Sequence, residues 1–549
     1  MDLPLTSSYW PADTSRPVLD ISTGDALRRA TAAAPDRLAL VEVAPAGASL
    51  SGADRGDRTW TYAELLADAE QAAFWLGARF EPGEHLAVWA PNIPEWIILQ
   101  YGAALAGLVL VTVNPALREA ELHHVLSQSR AAGLVLTDSF RGTDMAATAA
   151  GLRGRLPLLR DQFSFTGWLA EVRRAEPRPL PPVAPGDPAQ IQYTSGTTGA
   201  PKGAVLHHRG LVTNAAFVTA RAGIPDGAVW ASALPLFHTG GCVVTVLGAA
   251  CGAGTLVLPQ LFDPELMLAA LQDRRVDYLL GVPVMHTALL AHPAFDGYDL
   301  SACQVLLSGG DTVQPALIEE AERRFGARFT TVYGQTEASP VIAQTGREDS
   351  PRDHRHTTGR PLWQVEVKVV DPASGAVLPV GEAGEICARG YQTMLGYHDL
   401  PEATGQAIDA DGWLHTGDLG TLDGRGYLTV TGRLKDMIIR GGENIYPAEI
   451  ETALAAHPGV ERAAVLGIAD PAWGEQVAAV IKPADPRRPP TAGELHDHLR
   501  TTLAPHKTPR HWYLADDLPA TPTGKIQKFE LRHRIAVREL TELPDGARA

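Results

Sequence analysis

One run of the chain, Tyr193-Thr-Ser-Gly-Thr-Thr-Gly-Ala-Pro-Lys-Gly203, combines the groups that hold an anion. Gly196, Gly199 and Gly203 let backbone amides approach a phosphate without side-chain hindrance, the hydroxyls of Thr194, Ser195, Thr197 and Thr198 add donors, and Lys202 adds a full positive charge. A flexible Gly/Thr turn has the same glycines. It does not have four hydroxyls and a lysine directly after a strand-like run, here Ala189 to Tyr193. Nor is this a Walker A loop, which needs Ser or Thr after the lysine where this chain has glycine.

Four more short motifs follow: Tyr333-Gly-Gln-Thr-Glu337, Thr416-Gly-Asp418, Gly432-Arg433-Leu434-Lys435-Asp436 and Pro522-Thr-Gly-Lys525. A lone carboxylate such as Glu337, with phosphate oxygens and water, is a common protein contribution to a Mg2+ site. The Asp418 carboxylate can accept both hydroxyls of a ribose. The Lys525 ammonium, in a stiff proline-flanked turn, can bridge a carboxylate and an α-phosphate as charge develops between them. Taken singly, each of these groups has a simpler reading as a solvated surface charge or ion-pair partner.

In type, order and spacing the five motifs resemble those of the adenylate-forming (ANL) superfamily, which includes acyl- and aryl-CoA synthetases, peptide-synthetase adenylation domains and luciferases. The runs Tyr333 to Thr345 and Arg440 to Tyr446 are most similar to medium- and long-chain fatty acyl-CoA synthetases. The resemblance implies ATP-dependent conversion of a carboxylic acid to an acyl-AMP with release of pyrophosphate, then acyl transfer to coenzyme A with release of AMP. By the same resemblance Glu337 is the Mg2+ ligand, Thr336 touches the α-phosphate, and Tyr333 stacks on adenine with Gly334 and Gln335 in the same turn. Gly309, Gly310 and Asp311 line the adenine and acyl sites, Asp418 and Arg433 hold the ribose, and Lys525 is the lysine required for adenylation. Lys435 is the pivot of a small C-terminal domain that alternates between the two half-reactions, and Gly442 lines the pantetheine tunnel.

Phe237-His238-Thr-Gly-Gly241 resembles the segment that guards the carboxylate cavity. His286 and Thr287, in the run Gly281-Val-Pro-Val-Met-His-Thr287, stand where fatty-acid members carry aromatic or aliphatic residues, and Cys242 adds polarity nearby. A smaller or more polar acid pocket is the expectation. Two rival readings stay open. One keeps the adenylation chemistry but passes the group to a carrier-protein thiol or an amine, or activates an oxyanion such as nitrite, as diazo-forming relatives do. The other is a catalytically silent nucleotide-binding regulatory protein. A homodimer is compatible with either.

These residues need elements to position them. Thr61-Tyr-Ala-Glu64 reads as a capping box, and Leu65, Leu66, Ala69, Ala72, Ala73 and Leu76 recur behind it at helical spacing. His85 to Ala90, Pro94 to Ala106 and Leu108 to Val113 then read as strand, helix and buried strand, the α/β alternation. The proline-dense residues 176–187 read as an ordered surface connection, because Leu211 to Ala222, Val229 to Leu234 and Thr255 to Leu258 continue the same pattern. The expected fold is therefore α/β: a large N-terminal domain, 1–434, of βαβ-type layered sheets with a distorted barrel, which binds ATP and the acid, and a small mobile α+β domain, 435–549. Strands Ala463 to Ile468 and Gln476 to Ile481 and helices Pro447 to Ala456 and Thr491 to Leu503 furnish the second.

Composition narrows the partners. A formal charge of -16 argues against general nucleic-acid affinity, so any phosphate is held locally. The four cysteines, Cys242, Cys251, Cys303 and Cys387, show neither metal-ligand nor disulfide spacing, which suits a reducing cytoplasm. The first residues lack the basic stretch and apolar run of an export signal, and no segment approaches the ~20 apolar residues of a bilayer span.

Overall fold

Thr61 caps the helix Tyr62–Gly77 as its sequence predicts: its hydroxyl accepts the Glu64 amide, and a Glu64 carboxylate oxygen accepts the Thr61 amide. The following helix, Pro94–Leu105, opens on proline and is buried along its whole length. The two pack closely, since a Cβ at Gly102 would meet the Ala72 methyl at 2.6 Å. The computed structural model describes residues 5–43, 58–194, 201–440, 443–471, 473–520 and 526–543. They fall into two units, a larger one of Trp10–Val367 with Ala388–His415, and a smaller one of Met1–Tyr9, Lys368–Cys387 and Thr416–Ala549.

Two sheets build the larger unit. The first runs Gly396–Tyr397, Lys202–His207, Pro188–Thr194, Val109–Val113, His85–Trp89, Gly133–Leu136, Asp161–Ser164. Its last five strands are parallel and its first two join antiparallel. The second has nine strands, of which six neighbours are parallel: Arg328–Gly334, Val305–Gly309, Tyr278–Gly281, Val229–Ala231, Thr255–Pro259 and Leu38–Val43. Strands such as Val305-Leu-Leu-Ser-Gly309 are apolar without alternation because both faces are covered. One face of this sheet packs on helices Pro264–Asp273, Pro283–Leu290 and Pro315–Phe325, each begun by a proline. Because parallel strands point one way, the segments after Ala231, Gly281, Gly309 and Gly334 all leave from the carboxyl edge, where open α/β sheets bind ligands.

A five-stranded sheet, with most of its residues in the smaller unit, runs Tyr9–Trp10, Val365–Val370, Gly384–Gly390, Leu414–Leu422, Leu428–Arg433. After it the chain forms a further sheet around the long hairpin Val460–Asp470 and Gly474–Pro483. Alternate residues of that hairpin serve opposite cores. Val465, Val477, Ala479 and Ile481 pack with Ile450, Leu454, Leu495 and Leu499, while Ala464, Leu466, Ala478 and Val480 pack with Leu531. This part of the chain thus carries its own core between residues 438 and 543. No helix among the described residues is long and apolar enough to cross a membrane.

Arg58 of the larger unit meets two buried carboxylates, Glu42 at 2.5 Å and Glu95 at 2.5 Å. Burial opposes its charge, but the hydrogen bonds to Glu95 and Glu42 outweigh that and hold its pKa above the ordinary value. Removing the cation strands two acids that folding has taken out of water. Arg58→Met is expected to lower the stability of this unit by about 3 kcal/mol, read as a lower urea midpoint by tryptophan fluorescence; an unchanged midpoint would contradict the account.

Candidate active site

The strand before the glycine-rich loop extends over Pro188–Thr194, and Lys202–His207 folds back on it antiparallel with Thr194 opposite Lys202. The Thr194 hydroxyl donates to the Lys202 carbonyl at 3.4 Å, so a hairpin closes the base of the loop. Ser195, Gly196, Thr197, Thr198 and Gly199 lie outside the described residues. Gly203 answers a packing need, since a Cβ there would meet Ile191 Cγ2 at 2.7 Å.

The parallel strands bring the other nucleotide candidates of this unit to one edge. Gly309 lies opposite Val332 in register, so Gly309-Gly310-Asp311 and Tyr333 to Glu337 leave neighbouring strand ends. Gly310 takes a φ of +80°, open to glycine, and the exposed Asp311 accepts the Thr312 amide at 2.8 Å. Beyond Gly334 the chain doubles back: the Gln335 amide donates to the Pro340 carbonyl at 2.8 Å, and a Cβ at Gly334 would collide with that same oxygen. In this closed turn Tyr333 is buried, Thr336 half-buried, and Glu337 only 9% exposed, so Glu337 is not a solvated surface acid.

Glu337 has a partner that sequence reasoning did not single out. Tyr397 Oη donates to its Oε1 at 2.7 Å, while the Glu337 carbonyl accepts the Met394 amide at 2.9 Å. Burial, and then the carboxylate beside it, raise the Tyr397 pKa. Lys202 Nζ lies 5.1 Å from the centre of the same ring. A lysine from one sheet and a carboxylate from the other thus meet on one tyrosine. A nearly buried carboxylate with one oxygen held by a hydroxyl suits a hard cation such as Mg2+, which takes few protein oxygens and completes its shell with phosphate and water.

The segment after Ala231 is pinned by side chains of the seven-stranded sheet and its helices. Asn92 donates to the Leu234 carbonyl at 3.0 Å and accepts the Leu236 amide at 2.9 Å, Thr112 donates to the Phe237 carbonyl at 2.8 Å, and Gln100 donates to the Cys242 carbonyl at 3.0 Å. These bonds satisfy an irregular backbone that no strand pairs. Phe237 and His238 are half-buried, and His238 Nδ1 accepts the Gly240 amide at 3.1 Å. A π-helical turn, Gly240–Thr245, follows, a form frequent at functional sites.

Of the residues read as giving the pocket polarity, Cys242 and His286 are fully buried. Gln192 donates to Cys242 Sγ at 3.1 Å, and burial pushes that thiol up to about 12. His286 sits on the helix Pro283–Leu290 with Nε2 3.2 Å from the Leu307 carbonyl and its ring edge-on to Phe329 at 5.4 Å; burial lowers its pKa to about 4, so the ring is neutral. Thr287, by contrast, is exposed.

In the smaller unit Asp418 and Arg433 face each other across neighbouring strands, with Arg433 Nε 3.0 Å from Asp418 Oδ1. Thr416 Oγ1 accepts the Asp418 amide at 3.1 Å and fixes the buried acid in place. Lys435 follows in the turn Leu434–Asp436, where burial, and then the positive charge of Arg433, lower its pKa to about 8. Gly442 and Lys525 lie outside the described residues; Ala520 and Ile526, on either side of the latter in sequence, form an antiparallel β-bridge.

Residues 27–398 match the AMP-binding enzyme family, and residues 449–525 match the AMP-binding enzyme C-terminal domain. The feruloyl-CoA synthase of an Amycolatopsis species is 39% identical, covering 87% of this chain and 95% of the relative. The mitochondrial medium-chain acyl-CoA ligase ACSF2 of Danio rerio is 34% identical, covering 96% and 91%. Among solved structures, ATP-bound MatB from Rhodopseudomonas palustris superposes with a TM-score of 0.82 at 29% identity, covering 93% of this chain and 99% of that one. With both family matches in chain order and relatives aligned over nearly their full length, the chain belongs to the AMP-binding enzyme family.

Proposed function

We propose that the protein joins a carboxylic acid to coenzyme A in two steps, through an acyl-AMP formed from ATP. The observation that carries this reading is the approach of Lys202 and Glu337, from different sheets, to one tyrosine. A phosphate-binding cation and a metal-binding acid need that proximity. Relatives named for feruloyl-CoA and medium-chain acyl-CoA formation support coenzyme A as the acceptor.

In this reading Thr194 to Gly199 and Lys202 grip the triphosphate, Tyr333 stacks on adenine beside Gly309 to Asp311, and Asp418 with Arg433 holds the ribose. Thr336 donates to the α-phosphate. Glu337 would hold Mg2+, which neutralises phosphate charge when bound. Phe237 and His238 border the acid, a carboxylate oxygen attacks the α-phosphorus in line, and pyrophosphate leaves with its charge offset by Lys202. Lys525 bridges the two reacting anions. The protein's contribution is positioning and charge neutralisation, with no covalent enzyme intermediate. For the second step residues 435–549, which carry their own core, turn about Lys435 and exchange Lys525 for the segment that holds Gly442. The thiol then attacks the acyl carbon and AMP departs. None of the four cysteines is joined in a disulfide, which suits a cytoplasmic setting.

A panel of aliphatic and aromatic acids should give acid-dependent pyrophosphate release, with thioester only when coenzyme A is added. Release without thioester would point instead to a carrier-protein thiol or an amine as acceptor, and none with any acid to a silent nucleotide-binding protein. Lys525→Ala is expected to slow acyl-AMP formation by about 100-fold or more while transfer from supplied acyl-AMP persists. Lys435→Pro should do the reverse, impairing transfer more than adenylation; equal losses in both half-reactions would remove the turning-domain account.

A further inference from the structure

Tyr397 lies outside the motifs from which the site was read, yet its surroundings are built to fix its hydroxyl. The chain at residues 394–398 is fastened on two sides. Met394 donates its amide to the Glu337 carbonyl at 2.9 Å, Leu395 to the Val205 carbonyl at 2.9 Å, and His398 to the Gly203 carbonyl at 2.8 Å. Gly396 and Tyr397 pair with Val205 and Ala204, on the strand that begins at Lys202. The Tyr397 amide donates to Thr404 Oγ1 at 2.9 Å, and Gly396, at a φ of +144°, packs so closely that a Cβ would meet Thr404 Cγ2 at 2.8 Å. The tyrosine backbone therefore has little freedom, and a ring with two rotatable bonds carries that rigidity to Oη.

Glu337 has the opposite character. It stands on a single tight turn and reaches its ligand through three rotatable bonds, so its carboxylate needs an external constraint to present one defined oxygen. We propose that Tyr397 is a positioning residue: its hydrogen bond to Oε1 orients the Glu337 carboxylate for Mg2+, and the 394–398 strap fixes that orientation relative to Lys202. The inference rests on the reading of Glu337 as the metal ligand. Partners of this kind, one bond away from a metal, commonly set its affinity. Lys202 faces the ring, not the hydroxyl, so phenylalanine keeps that contact and removes only the hydrogen bond.

The test uses the full chain with Mn2+ as a paramagnetic probe and α,β-methylene-ATP in place of ATP, and follows free Mn2+ by electron paramagnetic resonance. Tyr397→Phe is expected to weaken Mn2+ binding about tenfold, with AMP affinity and the urea midpoint unchanged, and Glu337→Gln to weaken it at least as much. Loss of Mn2+ affinity in Glu337→Gln but not in Tyr397→Phe overturns the proposal and leaves Glu337 as the ligand. No change in either variant removes the metal-ligand reading and the proposal with it. If Tyr397→Phe weakens AMP and Mn2+ equally, the tyrosine is structural and the proposal also fails.

Discussion

The two reactants of an adenylation are both anions, and a carboxylate oxygen has to reach a phosphorus that already carries negative oxygens. This chain has a formal charge of -16, so its overall field opposes the encounter. The attraction has to be local and short in range. In the proposed reading Lys202 and Glu337 meet that constraint from opposite sides, one as a cation and one as an acid suited to a cation. Neither would be useful alone, and their separation is set by elements of two different sheets.

Holding such groups in register calls for backbone rather than flexible loops. Six parallel strands deliver the segments after residues 231, 281, 309 and 334 to one edge, and missing side chains at Gly309 and Gly334 let them lie close. A Cβ at Gly309 would strike Val332, and one at Gly334 the Pro340 carbonyl. Substitution at either would push neighbouring strand ends apart at the point where Tyr333 and Glu337 emerge.

Much of this scaffold is legible in the sequence because its signals are local. The Thr61 cap, the prolines that open helices at 94, 264, 283 and 315, and the unbroken apolar strands each depend on a few adjacent residues. Element ends are less legible. The strand expected to reach Leu234 stops at Ala231, because Ser232 Oγ accepts the Leu234 amide and Asn92 takes the Leu234 carbonyl. The site is legible where motifs are compact and illegible where it depends on long-range pairing. Tyr397 and Glu337 come from different sheets, and Gly396-Tyr397 alone does not declare a role. The surroundings of His286 are non-local in the same way: its type suggests polarity, and only the fold brings the Leu307 carbonyl and the Phe329 ring to it.

Cys242 shows how the segment after Ala231 and the strand before the glycine-rich loop share a scaffold. Gln190 and Gln192 project from one face of the strand Pro188–Thr194, and both lie within hydrogen-bonding reach of Cys242 Sγ, at 3.5 and 3.1 Å. Two residues further on, the same strand ends at Thr194, opposite Lys202. The π-helical turn that follows His238 is therefore tied to the strand that leads into the glycine-rich loop. A shift of that turn would pull on Gln192, and through it on the base of the loop. Because these polar atoms are buried and bonded to one another, breaking one contact leaves another group unsatisfied. In this arrangement the geometry of the segment after Ala231 and that of the Thr194–Lys202 hairpin are not independent.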